Sequence, residues 1–388
     1  MVLIFNRRFP IAENTPARTW EEKVKTHLCL IGDAGSIHLR RWAQAMVQRD
    51  FRVSVISTSV ASIEGAEIIV LPLPRRAWDW FLRLGALRRA VRSLAPDIVH
   101  AHYVTSYGLW GAASSGRPLV LTAWGSDILV TPRRSHALRI LTGWILRQAS
   151  LITADSRDVL TEIGRYRPSG SLHEIFWGAD VTQFHPNPSD RRPGFHVASM
   201  RAWEANYQID VIVEAFSRFL AKSPQCDATL HLFGGGSQEN SLHSLVERLG
   251  ISKHVIWHGL LPPHALAHEL ALCDVSISVP QSDATSVSLL ESMACSLPAI
   301  VSDLPANRQW IDASGGYVVP VGDVDAVATS LCEVFENPAV REQKGAFNRK
   351  KIEEVGSSNQ QMDLMAVLYA SLGRCRKNER VTSASGKR

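Results

Sequence analysis

Asp283 and Glu291 are the residues whose spacing first points to chemistry. They lie eight positions apart in the stretch Ser282 to Asp303, SDATSVSLLESMACSLPAIVSD. Ala284, Thr285 and Ser286 between them are small, so a ligand could approach their backbone closely. Leu290, Met293 and Ala294 follow i, i+3, i+4 spacing, which predicts a helix starting near Thr285 to Ser288. Ala299, Ile300 and Val301 then read as a buried strand. The unpaired N–H groups and positive dipole end of a helix N-terminus cradle phosphate oxygens. Two flanking carboxylates accept hydrogen bonds from hydroxyls, as the sugar and the ribose of a nucleotide sugar require. A plainer reading also stands: Ser288 and Glu291 fit the S-x-x-E capping box, in which Glu291 caps its own helix.

The stretch resembles the signature of glycosyltransferase family 4, retaining enzymes of the GT-B fold. That signature has two acidic residues separated by seven, then M-A-x-G-x-P and a strand. Asp283 stands where Glu is usual and Ser296 where Gly is usual, whereas Glu291, Met293, Ala294 and Pro298 match. The resemblance implies that Asp283 contacts hydroxyls of the transferred sugar and that the backbone of Ala284, Thr285 and Ser286 contacts sugar and diphosphate. It places Glu291 on the ribose, and the base near Gly235, Gly236 and the turn from His258 to Leu261, which includes Leu260. It also puts an Arg and then a Lys against the donor diphosphate. Breaking the sugar–phosphate bond leaves charge there, which cations and helix-end N–H groups stabilise as it develops. Arg201 matches the Arg. Asn206 and Tyr207 occupy the Lys place, and a Tyr hydroxyl donates a hydrogen bond but brings no charge. Catalytic roles therefore fall on Arg201 and Asp283. The resemblance implies front-face attack in which the donor phosphate takes the acceptor proton, so no protein base is assigned. No D-x-D metal motif stands out. The expectation is no metal and no cofactor beyond a UDP- or GDP-linked sugar donor.

The elements that must position these residues read as two α/β units. Leu28–Ile31 is a strand, Gly32 to Ser36 a small-residue loop, and a helix runs from about Ile37 to Arg49. This is the opening of a doubly wound domain, without the G-x-G-x-x-G of dinucleotide binders. Further strands read at Arg52–Ser57, Ala66–Leu71, Ile98–His102, Leu119–Ala123 and Leu151–Ala154. Alternation with helices implies a parallel sheet, with ligands beyond the carboxyl ends of its strands. Gly32, Gly35 and Ser36 would therefore face a cleft and its acceptor. So would Trp124 and Asp127, in a W-G-S-D that resembles the family's H-G-x-D. Trp124 could stack on a sugar ring or simply pack in the core.

A Pro-rich linker at residues 186–194 precedes a second series, with strands at Phe195–Ser199, Thr229–Phe233, Val255–His258, Asp274–Val279 and Tyr317–Val321. The expected architecture is α/β of the GT-B type, two Rossmann-like doubly wound domains facing a cleft. Its parts are an extension over 1–26, an N-terminal domain over 27–187, a donor domain over 195–358, a helix over 359–373 crossing back, and a disordered tail over 374–388.

The chain has 388 residues, 45% apolar and 20% charged, which fits a globular protein with sizeable cores. A net charge of +5 and the lack of RNA-recognition or zinc-finger spacings exclude an obvious nucleic-acid binder. The six cysteines form no C-x-x-C pair and read as reduced core residues of a cytoplasmic protein. Two segments are basic and aromatic together: Arg75 to Arg92, with Trp78, Trp80 and Phe81, and Arg133 to Arg147, with Trp144. Each is either a solvated helix face or a surface for anionic lipid at the inner face of a membrane. The expected partners are thus a nucleotide sugar, a saccharide or lipid-linked acceptor in cell-surface assembly, and an anionic membrane surface. The alternative is a degenerate GT-B subunit that binds nucleotide sugar or a partner without turnover, favoured by the missing Lys, the missing His and the Asp for Glu.

Overall fold

The computed structural model describes residues 25–76, 78–114, 116–187 and 192–385, with side chains as far as Gly373. Most of the expected N-terminal extension, residues 1–24, lies outside the described residues, as do linker residues 188–191 and the end of the tail, 386–388.

Among the described residues thirteen strands form two parallel sheets. The first holds β1 (His27–Ile31), β2 (Arg52–Ser57), β3 (Ala66–Val70), β4 (Ile98–His102), β5 (Leu119–Ala123), β6 (Leu151–Ala154) and β7 (Ser171–Glu174), in the order β3-β2-β1-β4-β5-β6-β7. The second holds β8 (Phe195–Met200), β9 (Ala228–Phe233), β10 (Val255–Gly259), β11 (Val275–Ser278), β12 (Ala299–Ser302) and β13 (Gly316–Val319), in the order β10-β9-β8-β11-β12-β13. Both orders reverse beside their first strand, so each sheet has a topological switch point, between β1 and β4 and between β8 and β11.

The inner strands are short apolar runs because helices cover both of their faces, whereas the edge strands β3 and β7 are partly exposed. Along β1, Cys29 and Ile31 enter one core while Leu28 and Leu30 enter the other, as a two-residue side-chain period requires. In the second domain, Phe195 and Val197 face one core and Ala198 the opposite one. Cys29, Cys273 and Cys295 are buried free thiols in these layers.

The chain returns to the first domain at residues 356–358. Ala179 N–H donates to Gly356 O at 2.9 Å, and Ser358 N–H donates to Ala179 O at 2.9 Å. Gly178 sits beside this crossing at φ 70°, where a Cβ would lie 2.5 Å from the Ser358 backbone. The last helix, Ser358–Ser385, then packs on the first sheet. Met365 and Tyr369 are fully buried there, and the Tyr369 hydroxyl accepts from Trp42 Nε1 at 3.0 Å. This helix runs on through residues 374–385, which the sequence suggests are disordered. Arg374, Lys377, Glu379 and Arg380 are favourable helix residues, and no proline follows to stop it.

The first basic aromatic segment forms two helices, Asp79–Leu82 and Leu84–Leu94, rather than one. The second forms a 3₁₀ turn, Thr131–Arg134, before the helix His136–Gln148.

Candidate active site

The second switch point brings together the ends of two strands far apart in sequence. Arg201 follows β8, and the loop 279–286 follows β11. The Arg201 guanidinium donates to Asp283 Oδ2 at 2.6 Å and to Ser288 Oγ at 3.2 Å, and it also donates to Ser286 Oγ. The Tyr207 ring lies beneath it, 4.2 Å from the guanidinium carbon to the ring centroid. Tyr207 thus acts through its aromatic face as a cation–π floor, rather than through the hydroxyl considered from the sequence. Its neighbour Asn206 ties the loop down, donating to Ser282 O at 2.9 Å and accepting from Gln281 N–H at 2.8 Å. Burial raises the Asp283 pKa, and Arg201 opposes that rise.

Ser286, not Ser288, is the N-cap of the helix Val287–Ala294. Its Oγ accepts from Leu289 N–H at 3.3 Å. Glu291 therefore falls two residues past the N3 position of a capping box, and the capping reading is corrected. Glu291 is 6% exposed, and its carboxylate accepts instead from Arg41 Nη1 of the first domain at 3.3 Å. Burial pushes the Glu291 pKa up to about 7 against the pull of Arg41. Thr285 turns away from the cradle: its hydroxyl donates to Asp155 O and accepts from Trp310 Nε1. Ala284 packs on the first domain, where a Cβ on Gly125 would come within 3.0 Å of its own Cβ.

The glycines after β9 allow two loops to pass closely. Gly234, at φ 138°, leaves no room for a Cβ, which would sit 2.5 Å from Arg201 O. Gly235 O accepts from Trp203 N–H at 3.0 Å, and the space a Cβ would enter there is open. Beyond Gly236, Ser237 N–H and Oγ both donate to Glu204. Leu260, in the turn after β10, is almost fully exposed.

The first domain contributes a different wall. Trp124 is half-buried between His38, Trp177, His102 and Tyr103, with centroid distances of 5.4–6.3 Å. It is one side of an aromatic and imidazole box. Trp124 Nε1, His38 Nδ1 and both ring nitrogens of His102 are buried without a hydrogen-bond partner among the described residues. Burial lowers the pKa of His102 to about 3 and of His38 to about 4, so both rings are neutral near pH 7. Asp127 does not face the cleft. It is fully buried and accepts from Val104 N–H at 2.6 Å and Trp124 N–H at 2.9 Å, so it braces the loop that carries Trp124. Burial pushes its pKa up to about 6 against those hydrogen bonds. Ser36 caps its own helix, accepting from His38 N–H at 3.3 Å. A Cβ at Gly32 would press on Leu39 and His102, whereas Gly35 is exposed.

Sequence reasoning missed Arg41, His38, His102, Trp177 and Asp155. Asp155 follows β6, and its Oδ1 is buried without a partner among the described residues. Burial first, and then the nearby Asp283 charge, hold its pKa well above the usual carboxylate range. A strand-end rule applied to β4 and β6 could have found His102 and Asp155. No local signal marks Arg41, whose partner is 250 residues away.

Residues 27–156 match the family described as Glycosyl transferase 4-like, and residues 186–351 match Glycosyl transferases group 1. The N-acetyl-alpha-D-glucosaminyl L-malate synthase of Bacillus anthracis is 23% identical over 305 residues, 74% of this chain and 77% of the relative. A GDP-mannose-dependent alpha-(1-6)-phosphatidylinositol monomannoside mannosyltransferase of Mycolicibacterium smegmatis is 25% identical over 244 residues, 53% of this chain and 63% of the relative. The Anabaena protein HepE, in a crystal structure with UDP-glucose, superposes with a TM-score of 0.74 at 17% identity, covering 89% of this chain and 99% of that one. Each family match falls on one of the two sheets, in the order the GT-B architecture requires, and the chain belongs to the glycosyltransferases of family 4, group 1.

Proposed function

We propose that the protein transfers a sugar, with retention, from a UDP- or GDP-linked donor to a saccharide or lipid-linked acceptor in cell-surface glycan assembly. The observation that carries this reading is Arg201, held by Asp283, Ser286 and the Tyr207 ring at the N-terminus of the helix Val287–Ala294. A diphosphate placed there meets a preorganised cation and helix-end N–H groups, the partners a leaving diphosphate needs as charge develops. Asp283 then exchanges its ion pair for hydroxyls of the transferred sugar. Glu291 exchanges Arg41 for the ribose hydroxyls. Relatives that use GDP-mannose on an inositol lipid, or that make a glucosaminyl malate, support the donor and acceptor classes. Thermal-shift measurements with UDP, GDP and ADP test the donor site. UDP or GDP at millimolar concentration should raise the melting temperature, because a ligand that binds only the folded state stabilises it. No shift with any of the three would remove the donor site.

A second reading concerns where the acceptor is met. Trp78, Leu82 and Ile140 are 56%, 66% and 72% exposed. The helices that carry them meet where Phe81, Leu84 and Arg88 face Leu141 and Trp144 across a cavity of about 380 Å³. Apolar side chains rimmed by arginines favour an anionic membrane surface. Among the described residues no helix is long and apolar enough to cross a membrane, so contact would be peripheral. Co-sedimentation with anionic vesicles should occur at low salt and fade at high salt. Equal binding to neutral vesicles, or none to either, overturns this.

A further inference from the structure

Three histidines form a directed chain on the face of the second sheet that the helix Pro263–Ala271 covers. His196 and His231 are buried on β8 and β9, and His258 is half-buried on β10. The direction follows from one carbonyl. His196 Nε2 lies 2.9 Å from Pro193 O, which can only accept, so Nε2 carries the proton. His196 Nδ1 is then a lone pair, 3.0 Å from His231 Nε2, which must donate. His231 Nδ1 is left as a lone pair, 2.9 Å from His258 Nε2. Glu269, on the covering helix, brings a carboxylate to the same place. Among the described residues this is the one group of three such side chains whose ligand atoms all lie within 4.8 Å of one another.

We propose that His231 Nδ1, His258 Nε2 and one Glu269 oxygen form a structural site for a divalent transition-metal ion, with Zn²⁺ the best match. Two imidazoles and a carboxylate are a donor set that such ions favour over Mg²⁺ or Ca²⁺. Zinc bonds of about 2.0–2.1 Å to nitrogen put neighbouring tetrahedral ligands roughly 3.3–3.5 Å apart. The three groups reach that spacing from their present positions by shifts on the order of 1 Å. The supporting shell already exists: a metal-bound imidazole is oriented by a hydrogen bond from its other nitrogen, and His231 Nε2–H donates to His196. His258 and Glu269 reach solvent, so water completes the fourth position. On metal entry the proton on His258 Nε2 shifts to Nδ1, and the ring stays neutral.

The site would do structural work. Among the described residues β10 is an edge strand, paired with β9 alone and irregular between Trp257 and Gly259, and the metal would tie it to the helix Pro263–Ala271. Arg192 opposes the ion. Its guanidinium holds both Glu269 oxygens, at 3.1 and 2.9 Å, and places a positive charge beside the site. The proposal does not depend on the sugar-transfer reading, since none of these side chains touches Arg201 or Asp283.

The test is calorimetric titration of the EDTA-treated full chain with Zn²⁺, beside Mg²⁺ and Ca²⁺. One Zn²⁺ should bind at micromolar concentration or tighter, with no matching response to Mg²⁺ or Ca²⁺. The double variant His231→Gln/His258→Gln should lose at least about tenfold in affinity, and Arg192→Gln should gain affinity. No zinc binding by the wild type overturns the proposal, and so does a folded double variant that binds as well as the wild type. Should the double variant fail to fold, Co²⁺ loaded into the wild type decides. Intense visible d–d bands of a tetrahedral site support the proposal, and the weak spectrum of octahedral Co²⁺ overturns it.

Discussion

The two walls of the cleft treat their polar atoms in opposite ways. On the second-domain wall the charged groups are paired: Arg201 with Asp283, Ser286 and Ser288, and Glu291 with Arg41, which reaches across from the first domain. On the first-domain wall His38 Nδ1, both ring nitrogens of His102 and Trp124 Nε1 are buried among aromatic rings without a partner among the described residues. A buried, unpaired polar group costs stability, whereas a paired charge in a half-dry site is already oriented. The difference separates two tasks. On the proposed function, one wall would hold fixed charge where the leaving diphosphate needs it. The other, on the same reading, would offer an apolar surface whose unpaired polar atoms could meet the hydroxyls of an acceptor.

The largest expected effect falls on the charged wall. Arg201→Ala should slow the chemical step on the order of 10²–10³-fold, far more than it weakens nucleotide-sugar binding. Tyr207→Phe keeps the ring under the guanidinium and should cost little. Single-turnover rates with donor and acceptor measure both. Wild-type turnover by Arg201→Ala would mean that the fixed charge serves packing rather than chemistry.

A smaller effect sharpens the comparison through pH. The Glu291 pKa rises from an ordinary 4.5 to about 7 on folding, so the native state holds this proton more tightly than the unfolded chain does. Its contribution to stability is therefore fully present below about pH 4.5 and is lost as pH rises through about 7. Glu291→Gln cannot ionise. Relative to wild type, its unfolding free energy should rise between pH 4.5 and pH 8 by on the order of 2–3 kcal/mol. Denaturant unfolding of both proteins at the two pH values checks this, and parallel profiles would contradict it. The variant should also bind UDP or GDP more weakly if Glu291 holds the ribose.

The smallest effect belongs to the other wall. His102→Phe removes two unpartnered nitrogens from a nearly dry site and should raise stability by about 1 kcal/mol. If those nitrogens serve an acceptor, the same variant should raise the acceptor KM and leave donor affinity alone. A variant that is less stable than wild type and unchanged in KM would make the two walls alike.

Much of the fold was legible because its signals are local. Strands such as β1, β4, β5 and β12 are buried along their whole length and read as short apolar runs, and these runs give their bounds to within about a residue or two, whereas β7, polar and partly exposed, gives no such run. Ser296 shows what a motif reading alone leaves out. Where the family has Gly, it adopts φ 61°, so the turn keeps its left-handed backbone despite the side chain. The capping reading of Glu291 went astray because the S-x-x-E pattern does not say which serine starts the helix.

By itself the sequence determined the parallel α/β units, the strand ends that carry Arg201 and Asp283, and the small-residue loop between Asp283 and the helix. Apolar periodicity and turn chemistry act over a few residues, so one dimension suffices to read them. Only the tertiary structure decided that Glu291 meets Arg41, that Tyr207 offers its ring, that Asp127 is a brace, and that His38, His102, Trp124 and Trp177 form one wall. Those partners are brought together by how strands order within a sheet and how two sheets dock. That order depends on the sum of many buried contacts, which no short stretch of the chain encodes.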